Sequence, residues 1–336
     1  MSSPLRFAIV GCGKIASRHA TEAARQGQLL AVCDIIKEKA DALAQEYHAM
    51  AYNAIEDLLK HPGGLDIVAI CTPNGLHASH SILALEAGMH VLCEKPLCIH
   101  AVDGRSMMEA AKKAGRKLFV VKSTRYNPAL AALKEILARQ QLGRLYSFQL
   151  NCFWNRPEAY YHDSWKGSLL ADGGSLYTQF SHYIDALLWL LGDVENLRGY
   201  RKNMAHRGVI EFEDSGVVAL EMKNGMLGGL HWSLNTYKKN MEVSLSIIAE
   251  KGSLRIGGEY MNKVEYQCTE NASLEIPDRG IANEYGFYKG SMSNHDKVYE
   301  NLVRALHDDN HPFTQAAEGL KTVETIEKIY QSIALQ

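Results

Sequence analysis

The chain has 336 residues, of which 36 are Lys or Arg and 38 are Asp or Glu, so its formal net charge at pH 7 is −2. This length predicts about two domains of roughly 150 residues each. The chain carries no long block of like charges, which excludes a polyanion-binding tail and sequence-independent binding to nucleic acid. No apolar run approaches the roughly 20 residues of a transmembrane helix, and the start lacks a signal peptide's apolar region. We therefore expect a cytoplasmic protein that binds neither nucleic acid nor membrane.

Short apolar segments alternate with helix-like segments in the first part of the chain. The predicted strands are residues 7–10, 29–33, 66–71, 90–93 and 118–121. The predicted helices between them are residues 17–26, 37–46, 76–87 and 103–114. Buried strands that are separated by helices predict a parallel sheet covered on both faces. We place this α/β domain at residues 1–122.

The pattern changes after residue 122. A predicted helix at 129–140 leads to an apolar strand at 146–153 and an amphipathic stretch at 178–191. Strands at 217–222, 226–234 and 242–249 follow, and helices at 295–307 and 315–332 end the chain. Strands in succession predict an open, mostly antiparallel sheet. The second domain, residues 123–336, is therefore predicted to be α+β, and its last helix has the option of packing back on the first domain.

A glycine-rich motif, Gly11-x-Gly13-x-x-Ala16, lies between the first predicted strand and helix. In a dinucleotide site Gly11 makes the tight turn, Gly13 lets the backbone approach a pyrophosphate, and Ala16 allows close helix packing. Asp34 closes the second strand, where a carboxylate accepts hydrogen bonds from a ribose and repels a 2′-phosphate. The alternative is a purely structural turn. The combination predicts a Rossmann domain that binds NAD rather than NADP.

Two further loops follow predicted strands and lie at the carboxyl edge of the sheet, where open α/β folds bind ligands. The first is Thr72-Pro73-Asn74-Gly-Leu-His77, which has a helix-capping turn as its alternative role. The second is Cys93-Glu94-Lys95-Pro96, in which the Lys95 ammonium can hydrogen-bond a substrate hydroxyl, unless it is an ordinary surface lysine. The His77-x-x-His80 spacing suits a metal, but no third ligand is apparent, so we assign none.

These motifs, with Asp172-Gly-Gly-Ser-Leu and His182-x-x-Asp185, resemble the Gfo/Idh/MocA oxidoreductases, the family of glucose-fructose oxidoreductase and inositol dehydrogenase. The resemblance covers essentially the whole chain. It implies an N-terminal Rossmann domain, a C-terminal domain whose open sheet builds oligomer contacts, and oxidation or reduction of a sugar-like carbinol. Lys95 and His182 are its catalytic candidates. Thr178 stands where many members carry Asp, which favours His182 as the base; Asp185 either orients that imidazole or is a capping or solvated carboxylate.

Three shorter segments are similar to a narrower branch, the UDP-N-acetyl-2-amino-2-deoxyglucuronate 3-dehydrogenases of bacterial surface-polysaccharide (O-antigen) synthesis. They are residues 122–128, 178–185 and 291–295. This resemblance implies NAD-dependent oxidation of the C3 hydroxyl of UDP-N-acetylglucosaminuronic acid. His182 would remove the hydroxyl proton while Lys95 stabilises the alkoxide, or the two roles are exchanged. The alternatives are a dehydrogenase of a free sugar or inositol, and a dinucleotide-binding sensor without catalysis.

The predicted site residues fall into two overlapping sets. The cofactor set is Gly11, Gly13, Lys14, Ile15, Asp34, Thr72, Pro73, Asn74, His77, Glu94, Lys95, Arg125, Trp165 and Lys166. The substrate set is Lys95, Arg125, Tyr126, Asn127, Tyr160, Thr178, Gln179, His182, Ser293, Asn294 and His295. We also expect a homo-oligomer, a tetramer in preference to a dimer. NADH either leaves after each turnover or is reoxidised in place by a second substrate such as 2-oxoglutarate.

Overall fold

The computed structural model describes residues 4–162, 164–276, 282–284, 289–292 and 294–335, with only the backbone described for 282–284 and 289–292. The chain divides into two compact units. The first unit is Met1–Lys122 with His295–Glu324, and the second is Ser123–Asn294 with Thr325–Gln336. The second domain was predicted to include all of residues 123–336. The structure instead assigns His295–Glu324 to the first unit.

Six parallel strands form the sheet of the first unit, in the order β3-β2-β1-β4-β5-β6. The strands are β1 (Leu5–Val10), β2 (Gly27–Cys33), β3 (Met50–Tyr52), β4 (Ile67–Ile70), β5 (His90–Cys93) and β6 (Leu118–Val120). The helices between them are α1 (Ala16–Gln26), α2 (Lys37–Tyr47), α3 (Ile55–Leu58), α4 (His77–Glu86) and α5 (Ala101–Ala114). The predicted parallel sheet is confirmed. Sequence analysis did not find β3, because a three-residue strand with an exposed Met50 gives no apolar pattern.

Seven strands form the main sheet of the second unit, in the order β13-β12-β11-β7-β10-β9-β8. They are β7 (Leu145–Phe153), β8 (Val194–Lys202), β9 (Ser215–Met222), β10 (Leu227–Ser233), β11 (Glu242–Ala249), β12 (Gly252–Gly257) and β13 (Lys263–Thr269). Neighbours are antiparallel except β10 and β7, which are parallel. The predicted open, mostly antiparallel sheet is thus confirmed. A separate antiparallel pair is β14 (Ala282–Glu284) with β15 (Lys289–Met292).

One face of this sheet is buried and the other is exposed, as the alternation along β9 illustrates. Its even-numbered residues from Gly216 to Met222 are buried, whereas Val217, Ala219 and Glu221 are exposed. Packing on the buried face is close enough to require glycine. A Cβ on Gly228 would lie 2.3 Å from the ring of Phe148. Period-two burial of this kind is typical of a sheet that covers a core with one face only.

Two helices of the second unit precede and follow β7: α6 (Pro128–Ala138) and α7 (Ser181–Leu191). A π-helical turn, Leu176–Phe180, leads directly into α7. Residues all around α7 are buried, including His182 and Asp185, which identifies it as a core helix rather than a surface helix. None of the helices in the described ranges is both long and apolar enough to span a bilayer.

The last two helices are α8 (His295–His307) and α9 (Ala316–Ser332), and the boundary between the units falls within α9, after Glu324. α8 packs against α1, and the ring of its buried Tyr299 lies 5.8 Å from the ring of Phe7 in β1. The early part of α9 lies close to β6, where a Cβ on Gly319 would be 3.1 Å from Val120. Burial of these apolar faces explains why a C-terminal segment belongs to the first unit.

Candidate active site

The glycine-rich turn lies between β1 and α1. Gly11 has φ +96°, and a Cβ there would lie 2.6 Å from the carbonyl carbon and oxygen of Cys71, so only glycine fits. A Cβ on Gly13 would meet no atom within 4 Å, which leaves this backbone open to an approaching group. Ala16 is buried at the start of α1. An open turn at a helix N-terminus suits a pyrophosphate, because its N–H groups face an anion.

The Asp34 carboxylate is held beside this turn. Its two oxygens accept backbone N–H groups, one from Cys12 at 2.8 Å and one from Ile36 at 2.8 Å. A carboxylate has about four acceptor positions, so both oxygens keep capacity for ribose hydroxyls. Asp34 thus lies next to Gly11 and Gly13, where its negative charge favours NAD and repels the 2′-phosphate of NADP. Lys14 and Ile15 occupy the same turn, the first exposed and the second half-buried.

The loop that follows β4 is tied to the loop that follows β5. The imidazole of His77 bridges them, with Nδ1 2.7 Å from the carbonyl oxygen of Pro96 and Nε2 2.9 Å from that of Thr72. Asn74 of the same loop is buried, and Pro73 is half-buried. His77 thus holds together two loops at the carboxyl edge of the sheet.

Lys95 follows β5 directly after the buried Glu94. The backbone N–H of Lys95 donates to Glu94 Oε2 at 2.9 Å, so the glutamate side chain fixes the main chain at the catalytic candidate. The Lys95 side chain is half-buried, and the bond between Lys95 and Pro96 is cis.

In the second unit, the turn before α7 is held by a buried carboxylate. Asp172 accepts the N–H of Gly167 at 2.9 Å and the hydroxyl hydrogen of Thr178. Gly174 has φ +134°, and a Cβ there would lie 2.4 Å from the hydroxyl oxygen of Tyr330. His182 lies in the first turn of α7 and is 9% exposed. A π-helical turn immediately before this histidine is a common feature of functional sites.

Gln179 lies between two polar side chains. Arg156 Nε donates to Gln179 Oε1 at 2.7 Å, and Gln179 Nε2 donates to the hydroxyl oxygen of Tyr160 at 2.9 Å. Because arginine only donates, this chain of bonds fixes the amide orientation. The Arg156 guanidinium also lies 4.6 Å from the centre of the Trp154 ring. The structure therefore brings Gln179 and Tyr160 together directly, and Arg156 holds the glutamine from the other side.

Arg125 forms a buried, bidentate ion pair with Asp185 of α7. Its Nε and Nη2 donate to the two carboxylate oxygens, each at 2.8 Å, and the side chains are 10% and 3% exposed. The guanidinium also lies 5.4 Å from the centre of the Trp189 ring. Arg125 is therefore fixed next to the helix turn that follows His182, with its charge balanced by a carboxylate.

The remaining predicted residues of the second unit form two small groups. Asn294 Nδ2 donates to the side-chain oxygen of Asn127 at 2.7 Å, next to the half-buried Tyr126. The ammonium of Lys166 lies 4.9 Å from the ring centres of both Tyr160 and Trp165. Ser293 lies outside the described residues, and His295 belongs to the first unit.

Sequence reasoning missed Arg156 and the residues that support it. The carbonyl oxygen of Arg156 lies 2.7 Å from Nε2 of His206, whose Nδ1 lies 3.0 Å from the Asp214 carboxylate. Burial alone would lower the pKa of His206, but the hydrogen bonds to Asp214 and to the Arg156 carbonyl raise it above its ordinary value of 6.5. The one available signal was a charged residue within an aromatic segment, Trp154 to Tyr161.

Two family models match the chain. The first, the oxidoreductase family with an NAD-binding Rossmann fold, matches residues 5–122. The second, the GFO/IDH/MocA C-terminal domain, matches residues 130–255. The chain belongs to the Gfo/Idh/MocA oxidoreductase family. It is accordingly an NAD-dependent oxidoreductase that acts on CH–OH groups, and the predicted family, enzyme class and cofactor are confirmed.

Several members of the family are similar along nearly the full length. The WlbA dehydrogenase of Chromobacterium violaceum, in complex with NADH and UDP-GlcNAcA, is 36% identical with a TM-score of 0.89, over 99% of this chain and 96% of that one. The WlbA dehydrogenase of Bordetella pertussis, in a complex with the same two ligands, is 33% identical with a TM-score of 0.86, over 98% and 96%. The D-glucoside 3-dehydrogenase of Escherichia coli is 26% identical over 98% of this chain and 96% of its own length.

The two glycines of the turn are expected to respond differently to alanine. Gly11→Ala places a methyl group against Cys71 in a strained backbone conformation, and we expect Tm to fall by about 4–8 °C and NAD binding to be lost. Gly13→Ala fills open space, so Tm should stay within about 1 °C while the Kd for NAD rises at least about tenfold. Thermal unfolding and NAD titration test the pair. Equal effects of the two substitutions on Tm would contradict this account.

The His206–Asp214 contact predicts a pH dependence of stability. Because the folded-state pKa of His206 is raised, its stabilisation is full below the unfolded pKa of about 6.5 and is lost as the pH rises through the higher folded value. We expect His206→Gln to lower the unfolding midpoint at pH 6 by more than at pH 9, measured in urea at several pH values. The control is His162→Gln, an exposed histidine in the same unit. Parallel pH curves for wild type and His206→Gln would disprove the assignment.

Proposed function

We propose that this chain oxidises the C3 hydroxyl of UDP-N-acetylglucosaminuronic acid to the 3-keto sugar, using NAD, in bacterial surface-polysaccharide synthesis in the cytoplasm. The observation that carries the proposal is its similarity, along nearly its whole length, to two dehydrogenases whose structures contain NADH and UDP-GlcNAcA. The segments at residues 122–128, 178–185 and 291–295 support the same substrate.

The first unit would bind the cofactor and the second would bind the sugar. Gly11, Gly13 and the start of α1 would face the pyrophosphate, and Asp34 would accept hydrogen bonds from the ribose. Bound NAD supplies a hydride acceptor for the carbinol carbon. Thr72, His77 and Glu94 shape the same edge of the sheet.

We assign proton transfer to His182 and alkoxide stabilisation to Lys95. Imidazole has an ordinary pKa near 6.5, which suits a general base at neutral pH, whereas an ammonium is suited to donate a hydrogen bond to the developing alkoxide. His182 lies in a buried first helical turn, and such a position holds its imidazole in a defined orientation. If the roles are exchanged and Lys95 is the base, the rate of the wild-type reaction should rise with pH, and removal of the Lys95 side chain should abolish that rise.

The sugar acid would be held by the polar groups around α7. Gln179 is fixed by hydrogen bonds to Arg156 and Tyr160, and Thr178 is fixed by its hydrogen bond to Asp172. Lys166 brings a positive charge over the ring of Tyr160 and suits a carboxylate or phosphate. We assign Arg125, Tyr126, Asn127, Trp165, Ser293, Asn294 and His295 to the same substrate or cofactor surroundings.

A second candidate is oxidation of a free sugar or inositol. It is favoured by the curated relatives, which include the D-glucoside 3-dehydrogenase of Escherichia coli and an inositol 2-dehydrogenase of Salmonella typhimurium that is 28% identical over 66% of this chain. Their identities are lower than those of the two UDP-GlcNAcA complexes, which is why we prefer the nucleotide sugar.

We also propose that the exposed face of the seven-stranded sheet joins copies of this chain, in a tetramer or a dimer. Strand register places Tyr200 opposite Val217, and Ile248 and Leu227 both opposite Ser147, so these apolar side chains share one face. Val217 is 46%, Leu227 60% and Tyr200 66% exposed. An exposed sheet face that carries several large apolar side chains is typical of a protein interface.

A substrate panel tests the proposed reaction. We expect NADH formation with UDP-N-acetylglucosaminuronic acid and little or none with free glucosides or inositols. If turnover without free NAD requires 2-oxoglutarate, the cofactor is recycled in place. If NADH accumulates in solution, the cofactor is released after each turnover.

Two substitutions test the proposed catalytic residues. Lys95→Met and His182→Asn should each lower kcat by about 100-fold or more while NAD binding persists. Turnover confined to free polyols would support the second candidate, and no turnover of any sugar would support a sensor.

Charge on the open sheet face tests the proposed interface. The double variant Val217→Lys, Leu227→Lys places two ammonium groups on adjacent strands, and we expect the mass measured by light scattering to fall to that of a monomer. Val102→Lys is the control, because Val102 is 61% exposed but lies on α5 of the first unit. An unchanged mass in the double variant would place the interface elsewhere.

A further inference from the structure

A buried cluster of His19, Glu94 and His295 lies at the carboxyl end of β5 in the first unit. His19 Nε2 lies 2.9 Å and His295 Nε2 3.2 Å from the same oxygen, Glu94 Oε1. Tyr299 completes the cluster, with its hydroxyl oxygen 2.9 Å from His19 Nδ1. Each of these side chains is at least nine-tenths buried. The residues come from α1, β5 and α8, so three distant parts of the chain meet at one carboxylate.

The hydrogen bonds around Glu94 follow a consistent donor and acceptor scheme. Burial alone would raise the pKa of Glu94, but the hydrogen bonds from His19 and His295 hold it well below its usual value, so Glu94 is a carboxylate. Burial lowers the pKa of His19, which is therefore neutral and has one donor nitrogen. Its Nε2–H donates to Glu94, and its Nδ1 accepts the hydroxyl hydrogen of Tyr299. The Lys95 N–H is a third donor to the carboxylate, at Oε2.

The same three side chains also form a donor set for a metal, since their ligand atoms lie within 4.8 Å of one another. Hydrogen bonding accounts for the geometry without an ion. The two nitrogen-to-oxygen distances are those of hydrogen bonds, the second oxygen of Glu94 accepts the Lys95 N–H, and Tyr299 satisfies the other nitrogen of His19. Metal analysis of the purified protein decides between the two.

We propose that Glu94, held by His19 and His295, is a positioning residue that fixes Lys95 for the reaction. His19 lies one turn beyond the start of α1, the helix that begins at the glycine-rich turn. Glu94 connects that helix to the backbone of Lys95 through two hydrogen bonds. The distance between the turn and Lys95 is therefore set by this connection. The inference rests on the role proposed above for Lys95, since Glu94 acts through it.

The substitution Glu94→Gln removes the negative charge of this side chain but keeps its size and shape. Glutamine has the same size and can still accept the Lys95 N–H, and neutral histidines can change tautomer to meet its amide. We expect kcat to fall by about 10- to 100-fold, with the KM for the sugar and the Kd for NAD changed less than about threefold. The matched control is Glu22→Gln, a nine-tenths buried carboxylate three residues after His19 on α1. The control should leave kcat within about twofold, and circular dichroism should show both variants folded.

A coupling measurement distinguishes positioning from a general structural effect. In single-turnover reactions we compare Glu94→Gln in the wild-type and in a Lys95→Met background. If Glu94 acts through Lys95, its substitution lowers the rate in the first background and changes it less than about twofold in the second. Equal losses in both backgrounds would overturn the inference. So would a loss of NAD binding parallel to the loss of rate, or a stoichiometric metal that a chelator removes together with activity.

These outcomes are separable from failure of the proposed function, because the assays use UDP-N-acetylglucosaminuronic acid or, if the panel shows turnover only there, the free glucoside or inositol that is oxidised. If Lys95→Met leaves kcat unchanged, the catalytic role of Lys95 is wrong, and the positioning role fails with it. If Lys95→Met abolishes turnover and Glu94→Gln is neutral, only the positioning role fails. His19→Gln is the second variant, since glutamine can still donate to Glu94. We expect it to retain more activity than His19→Leu, which leaves the carboxylate short of a donor.

Discussion

The parallel hydrogen-bond ladder around β1 determines where the candidate cofactor residues lie. Val10 is in register with Cys33 of β2 and with Ile70 of β4, and Ile70 is in register with Cys93 of β5. The residue after Val10 is Gly11, the residue after Cys33 is Asp34, and the residue after Cys93 is Glu94. The ladder continues through these first loop residues, since Gly11 N–H donates to the carbonyl of Cys33 at 2.8 Å and Glu94 N–H to that of Ile70 at 3.0 Å. The glycine-rich turn, the proposed ribose acceptor and the loop of the catalytic candidate Lys95 therefore meet at one edge, because their strands end level with one another.

In the second unit the constraint is different: charged side chains are buried there, and each needs a partner of opposite charge. Arg125 with Asp185, and Arg201 with Glu213, are ion pairs in which at least one partner is almost fully buried. Pairs of this kind contribute little net stability, because desolvation offsets most of their attraction, but removal of one partner is strongly destabilising. Their value here is geometric. Glu213 also accepts hydrogen bonds from Ser175 and Tyr330, so the turn that precedes the π-helical segment has few alternative arrangements.

The sequence predicts the parts of the fold and site that depend on local pattern. Gly11, Gly13 and Asp34 were identified because their spacing relative to apolar strands carries the mechanism of dinucleotide binding. A return to the first domain was given only as an option for the last helix, and that of α8 was not predicted, because an amphipathic helix does not specify which core it covers. The parallel pairing of β10 with β7 was missed for a similar reason. Hydrophobic alternation defines strands, whereas their partners depend on contacts far apart in the chain.

The same distinction explains which site residues the sequence does not reveal. Glu94 and His295 were predicted, but His19, the second histidine on Glu94, was not, because three residues so distant in sequence give no spacing pattern. Arg156 was missed because its partner Gln179 is 23 residues away and its support His206 is 50 residues away, so no local spacing joins them. From composition alone, the residues of both networks look the same as ordinary solvated surface residues. Only the burial of these polar groups and the hydrogen bonds that join them distinguish them from surface residues.

Thr178 stands where the resemblance to the family leads us to expect Asp, and the structure gives this difference a physical context. The hydroxyl group of Thr178 donates to Asp172, whose carboxylate is 1% exposed and also accepts the N–H of Gly167. A carboxylate thus lies beside position 178 although the residue there is neutral. Asp172 is buried and accepts two hydrogen bonds, which suits it to orient Thr178. At this place the negative charge is therefore on the buried neighbour Asp172 instead of on residue 178, which supports the proposal that His182, four residues further along the chain, transfers the proton.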